Sequence, residues 1–123
     1  MIKLSMSKKL KEGVLMADFI INKAGAKIYK DIKKHEFLKV PVLINEKEKG
    51  AVHHVLSVGI LGGQRDPIVT VKESNGEVVA YRLPIDLLGW VENFMGLKLQ
   101  GVDMFPAKVE FGKLNNRTFA EIL

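Results

Sequence analysis

Apolar and polar residues alternate with a period of two over most of residues 51–122, as in strands that bury one face. The runs of alternation predict five strands, at 51–61, 67–73, 76–83, 105–113 and 117–122. Residues 85–95 have a helical period instead, so one amphipathic helix is predicted between the third and fourth strands. Asn75-Gly76 and Asn115-Asn116 are typical two-residue hairpin turns.

The resulting order, β-β-β-α-β-β, is the order of an OB-fold, and SH3-like barrels share parts of it. The sequence therefore predicts an α+β, mostly β domain: a small OB-like or SH3-like, partly open barrel with one helix. The run from Phe37 to Ile44 is a further predicted strand. Because Pro41 has no N–H to donate, this strand is expected at a sheet edge.

The Asn75-Gly76 turn also predicts the register, that is, which residues of its two strands pair. A two-residue turn at Asn75-Gly76 pairs Val71 with Ala80, whereas a three-residue loop places Glu73 opposite Glu77, a like-charge pair that sheets disfavour. In 51–61, the more apolar alternate set starts at Val52, and Gly59 is expected to mark a bulge. The predicted core contains Leu56, Val58, Val71, Val78, Leu88, Val91, Phe111 and Ile122.

The first 35 residues have a different pattern. An apolar stripe at alternating spacings of four and three runs from Leu10 to Ile28 and predicts a helix, frayed because it contains Gly13 and Gly25, up to about Lys23. Residues 26–32 fit either helix or strand. We therefore expect a helical or extended basic arm or leader over 1–35 and a single barrel-like domain over 36–123.

Lys11-Glu12-Gly13 can be encoded by a ribosome-binding sequence placed just ahead of Met16. Residues 1–15 are then expected to be untranslated in the natural protein and dispensable for folding. On this interpretation the gene lies tightly behind another gene, as is typical of a phage, a plasmid or a compact operon. The competing interpretation keeps these residues as part of the helix.

Charge is distributed unevenly along the chain. The net charge is +5, but residues 40–123 carry nine basic and ten acidic residues, so the excess lies in residues 1–39. A basic segment of this kind binds polyanions or forms a solvated tail. The chain has no cysteine, so disulfides and thiolate sites are excluded, and no apolar run would span a bilayer, so no membrane association is expected. The N-terminus lacks the apolar core and cleavage site of a secretory signal, so a cytoplasmic location is expected.

OB-folds bind oligonucleotides on the face of strands 2 and 3 and in two loops. Mapped onto this chain, those places predict a single-stranded DNA or RNA site in which cations meet phosphates and aromatic rings stack on bases. The predicted binding residues are Arg65, Lys72, Tyr81, Lys113, Arg117 and Phe119. A structural interpretation is also open: Tyr81 caps the core, Phe119 covers Gly112, and the charges are solvated.

Catalysis is not expected. His53 and His54 are adjacent on a strand and point to opposite faces, so no metal site is predicted, and the chain has no phosphate-binding loop or activated nucleophile. No catalytic residue and no cofactor is therefore assigned. The alternative class is a non-catalytic protein-interaction or assembly module, virion structural or inhibitory, that uses the Phe37–Ile44 edge. The N-terminal stripe could also pack against a second copy, as in a homodimer.

Overall fold

The computed structural model describes residues 18–123, so the predicted leader 1–15 and the first half of the helical stripe lie outside the described residues. The described chain is mostly β, with seven strands and one α-helix. The strands are β1 Phe19–Ile21, β2 Lys27–Tyr29, β3 Ala51–Leu61, β4 Asp66–Lys72, β5 Val78–Arg82, β6 Ala107–Leu114 and β7 Arg117–Ile122. The helix α1 is Leu88–Leu99, and short 3-10 turns lie at Ile32–Lys34 and Ile85–Leu87.

Strands β3 to β7 form one antiparallel sheet in the order β5-β4-β3-β6-β7. Three strands joined by hairpins are followed by one that returns beside the first, which is Greek-key order. The return connection contains α1. Because β5 and β7 are not paired with each other, the sheet is not a closed barrel. The strands lie close to their predicted positions, and the mostly β class with one helix is confirmed.

A bulge in β3 changes which residues face the core. Val55 pairs with Val71 but Ser57 pairs with Thr70, so Leu56 is the extra residue. Val55 is fully buried, and Val58, beyond the bulge, packs against the same cluster. The predicted buried face is therefore wrong before Leu56 and correct after it, and the bulge is not at Gly59.

The register of the β4–β5 hairpin also differs from prediction by one residue. Val71 pairs with Val79, and the Glu73 N–H donates to the Glu77 carbonyl at 2.7 Å. Gly76, at φ +89°, closes a turn in which its N–H donates to the Glu73 carbonyl. The two glutamates are thus directly opposite. The Glu73 carboxylate accepts a hydrogen bond from the Tyr81 hydroxyl, which offsets part of the repulsion.

The main core lies between the sheet and α1. Its buried residues are Leu38, Val55, Val69, Val71, Leu83, Leu87, Val91, Val109 and Phe111. Trp90, from α1, has its ring edge-on to Phe111 with centroids 5.9 Å apart, and Phe94 and Phe105 extend this aromatic group. Of the predicted core, Val71, Val91 and Phe111 are fully buried, whereas Val58 and Ile122 are partly buried against it.

Of the two alternatives predicted for the N-terminal arm, the helix up to about Lys23 is wrong over its described part, and the extended form is found. Residues 19–29 form an antiparallel hairpin, β1–β2, in which Ile20 pairs with Ile28. Gly25, at φ +98°, allows the chain to turn, and Ala26 donates its N–H to the Asn22 side chain. Of the described residues of the stripe, Ile21 and Ile28 thus belong to two short strands, and Ala24 lies in the turn between them.

The segment from Phe37 to Ile44, predicted as a strand, is extended but is not a strand of either sheet. Leu38 donates its N–H to the Arg82 carbonyl at 2.9 Å, and Leu43 donates its N–H to the Lys113 carbonyl at 2.8 Å. These contacts create two isolated parallel bridges, at Phe37 and Val42. The segment therefore connects the outer side of β5 with the end of β6.

Candidate nucleic-acid interface

Five of the six residues predicted to bind nucleic acid lie in three separate places, and the sixth, Tyr81, lies on β5. Arg65, at φ +57° in the β3–β4 loop, forms an ion pair with Glu92 of α1. Lys72 is exposed at the opposite end of β4. Lys113, Arg117 and Phe119 come together on the β6–β7 hairpin, where Lys113 pairs with Thr118.

The two predicted stacking rings have structural contacts. Tyr81 packs against the main core, and its hydroxyl donates to a Glu73 carboxylate oxygen at 2.7 Å. This hydrogen bond, with the burial of the ring and the nearby carboxylates, raises the pKa of Tyr81 to about 12. The Phe119 ring covers Gly112 so closely that a Cβ there would lie 2.6 Å from it.

The outer face of β4 and β5 is occupied by the N-terminal hairpin. Ala26 and Ile28 form a second buried cluster with Ile68 and Ala80. At the turn, the Asn22 side-chain amide donates to the Thr70 hydroxyl at 3.0 Å. The strand face on which an OB-fold binds its ligand is thus covered by the chain itself.

His35 fastens the hairpin to β5. The Tyr29 N–H donates to Nε2 of His35 at 3.0 Å, while Nδ1 lies 3.1 Å from the Ala80 carbonyl oxygen. Since Nε2 accepts, Nδ1 carries the proton and donates. The imidazole is buried and neutral in this arrangement, with both nitrogens bonded.

Three aromatic rings on or beside this hairpin each have a cation against the ring. The Lys27 ammonium lies 4.9 Å from the centre of the Phe19 ring, and the Lys34 ammonium lies 5.6 Å from that of Tyr29. The Arg82 guanidinium lies 4.3 Å from the centre of the Phe37 ring, which is 52% exposed. Each distance is within the range of a cation–π contact.

Lys34 also forms an ion pair with Asp18. The hydrogen bond between them raises the pKa of Lys34 and lowers that of Asp18. Both groups are exposed, so the pair contributes little to stability. Within residues 18–39, five other exposed lysines have no ion pair with a carboxylate of residues 18–123: Lys23, Lys27, Lys30, Lys33 and Lys39.

We call the accessible surface of residues 19–37 the hairpin surface; its rings are Phe19, Tyr29 and Phe37, and its lysines are Lys23, Lys27, Lys30, Lys33 and Lys34. Of these, Lys27, Tyr29 and Lys34 also face the edge of β5. The sequence prediction missed this surface. The signal was present, because Asn22 and Gly25 frame a four-residue turn between two runs that each contain an aromatic residue. The helical spacing of the same apolar residues concealed it.

Comparison with protein-family models, with curated proteins and with solved structures found no match. Within residues 18–123, no helix is long and apolar enough to cross a bilayer. The function must therefore be inferred from the chain's own residues.

Proposed function

We propose that the protein is a non-catalytic module that binds single-stranded nucleic acid on the hairpin surface. The observation that carries this proposal is the set of three rings, Phe19, Tyr29 and Phe37, each with a cation against it. Phe37 is exposed and Phe19 and Tyr29 are half-buried; the accessible parts of these rings offer stacking platforms for bases, and neighbouring lysines neutralise phosphates. Weak sequence preference is expected, since every base has a face that can stack.

The charge distribution supports the same surface. Residues 18–39 contain six lysines and three acidic residues, a net charge of +3, whereas residues 40–123 have a net charge of −1. The positive charge of the described chain is thus concentrated on and beside the hairpin. A local positive field attracts a polyanion even when the rest of the domain is nearly neutral.

The topology supports an OB-like module with a modified binding face. Five strands in Greek-key order with a helix before the fourth strand fit a partly open OB-like barrel. The hairpin covers β4 and β5, where an OB-fold would bind its ligand. On this proposal, the lysines and rings of the hairpin take over the binding function of the covered face.

The test is fluorescence anisotropy of a labelled oligothymidine across a salt series. Lys30→Glu with Lys33→Glu should abolish most of the affinity. Lys47→Glu with Lys49→Glu changes the net charge equally in a remote loop and should have a small effect. Each phosphate contact contributes about 0.7 to the slope of log affinity against log salt, so milder Lys→Ala changes should lower the slope by about that amount each.

Stacking is tested separately with Phe37. Phe37→Ala should weaken binding by about 1–3 kcal/mol, and Phe37→Trp should retain binding. Substitutions at Lys72 and Arg117 test the site predicted from the sequence. If Lys72→Glu and Arg117→Glu lower the affinity and the hairpin substitutions do not, the binding site lies on the strand face and loops instead. Affinity that is indifferent to salt would overturn nucleic-acid binding altogether.

A further inference from the structure

A cleft of about 570 Å³ lies between the N-terminal hairpin and the edge of the main sheet. One wall consists of hairpin residues, including Ile21, Gly25 and Tyr29. The opposite wall is the outer edge of β5 from Val78 to Tyr81. The cleft is therefore bounded on one side by polypeptide backbone at the edge of a sheet.

The backbone of β5 faces this cleft at every second residue. The Arg82 N–H donates to the Glu36 carbonyl at 2.8 Å, and the Arg82 carbonyl accepts from Leu38, so both groups point away from β4. Alternate residues of a strand point their backbone groups the same way, so those of Ala80 and Val78 also face outward. The Ala80 carbonyl oxygen confirms this direction, since it accepts from His35.

The edge is covered only in part. The backbone of residues 36–38 is hydrogen-bonded to the N–H and C=O of Arg82, and the side chain of His35 is hydrogen-bonded to the Ala80 carbonyl. Within residues 18–123, no backbone or side-chain group pairs with the N–H of Ala80 or with the N–H and C=O of Val78. An unpaired row of this kind is a template for another strand unless it is protected.

The charges beside the edge favour a cationic strand. Glu36 and Glu77 both lie in the lining of the cleft. Lys34, on the opposite side, is held by Asp18, and Lys27 lies against the Phe19 ring. Because Lys34 is paired with Asp18, the two carboxylates make the β5 side of the cleft negative, and this side repels phosphate and attracts a cation.

We propose that the cleft binds an extended segment of a partner protein, which pairs with Val78 and Ala80 of β5 as an added strand. Three hydrogen bonds become available, from two N–H groups and to one C=O. One side of the added strand meets the apolar wall formed by Ile21 and Tyr29, so small or β-branched residues fit there. A lysine or arginine in the segment meets Glu36 or Glu77. This mode of recognition obtains affinity from the backbone and specificity from alternate side chains.

The first experiment is a selection from a display library of short random peptides against the full chain and against Val78→Pro. Proline removes the outward N–H of Val78 and leaves the β4 ladder intact, because residues 71 and 79 carry that ladder. Enriched peptides should alternate β-branched residues and contain a lysine or arginine. Their affinity for Val78→Pro should fall about tenfold, the equivalent of about 1.4 kcal/mol for one hydrogen bond.

Matched controls separate this site from the proposed nucleic-acid surface. Lys30→Glu with Lys33→Glu should leave peptide affinity unchanged or raise it, and Val78→Pro should leave oligothymidine binding unchanged. Glu36→Gln with Glu77→Gln should lower peptide affinity and reduce the enrichment of lysine and arginine. Melting curves of each variant verify that it is folded.

Amide hydrogen exchange by NMR gives a second readout. In the free protein, the Val78 and Ala80 amides should exchange faster than those of Val79 and Tyr81, and peptide should protect the first pair. Failure to enrich any peptide over Val78→Pro, or peptide binding that protects only β7, would overturn the proposal. Protection of Val78 and Ala80 that appears only on raising the protein concentration would also overturn it, because the occupant would then be a second copy of the chain.

Discussion

The two faces of the five-stranded sheet are covered in different ways. On the inner face, nine buried residues, large aliphatic and aromatic side chains among them, pack against each other and α1. On the outer face, the apolar cluster beneath the hairpin contains only four buried residues, two of which are alanine. Hydrogen bonds from Asn22 and His35 supplement this smaller cluster.

From this difference we expect the two faces to contribute differently to stability and to binding. Burial of apolar area is the dominant stabilising contribution, so the inner face should determine whether the domain folds. A contact made of small side chains and a few directional hydrogen bonds should open locally at a lower free energy than the whole domain. The outer face is also the one that bears both proposed binding surfaces, where local opening is useful.

The largest expected effect is at the centre of the inner face. Phe111→Ala should lower the free energy of unfolding by about 3–5 kcal/mol, because it removes a fully buried ring that contacts Trp90 and leaves a cavity. Denaturant unfolding followed by Trp90 fluorescence measures this loss. Leu99→Ala is the control: this side chain is 91% exposed, and its truncation should change stability by less than about 0.5 kcal/mol. Equal effects at the two positions would contradict the placement of the core.

Sequence reasoning succeeded for the inner face where periodicity is regular. The positions of β4, β6 and β7 follow from alternation, and Val71, Val91 and Phe111 were correctly placed in the core. It failed at Leu56, because one inserted residue exchanges the two faces of a strand and leaves no mark in composition. It failed at the Asn75-Gly76 turn because Tyr81, eight residues from Glu73, makes the opposed glutamates tolerable.

The outer face was less predictable for a physical reason. Strands of three residues are too short to show a period, so β1 and β2 resemble part of a helical stripe. The hairpin is specified in part by tertiary contacts between residues far apart in sequence, such as that of His35 with Ala80. The candidate site was hard to predict for the same reason, since its rings and lysines come together only when the hairpin is docked on the sheet.

The prediction of intermediate size tests the docking of the hairpin on β5. His35→Ala removes a hydrogen bond at each ring nitrogen and should cost about 1–3 kcal/mol, mostly as local opening of the hairpin. Amide exchange should accelerate at Asn22 and Lys30, whose N–H groups bond within the hairpin, and remain slow at Val55 and Val69. His35→Gln retains a donor and an acceptor and should restore part of the protection. Uniform acceleration in both regions would instead show that the two faces unfold as one unit.

The smallest expected effect concerns Tyr81, whose ring belongs to the inner face and whose hydroxyl reaches Glu73. Its pKa is raised to about 12 by this hydrogen bond first and by burial and nearby carboxylates after it. The folded state thus holds the phenol proton more tightly than the unfolded chain, where tyrosine ionises near pH 10. The resulting stabilisation is complete below about pH 10 and is lost as the pH rises through about 12.

Tyr81→Phe should therefore cost about 0.5–1.5 kcal/mol at neutral pH, the usual contribution of one hydrogen bond. The difference in unfolding free energy between wild type and Tyr81→Phe should shrink between about pH 10 and pH 12, because the wild type loses this contribution there and the variant has none to lose. Comparing the two proteins removes the shared titration of lysines from the result. A difference that stays constant over this range would mean that the hydroxyl is not hydrogen-bonded to Glu73.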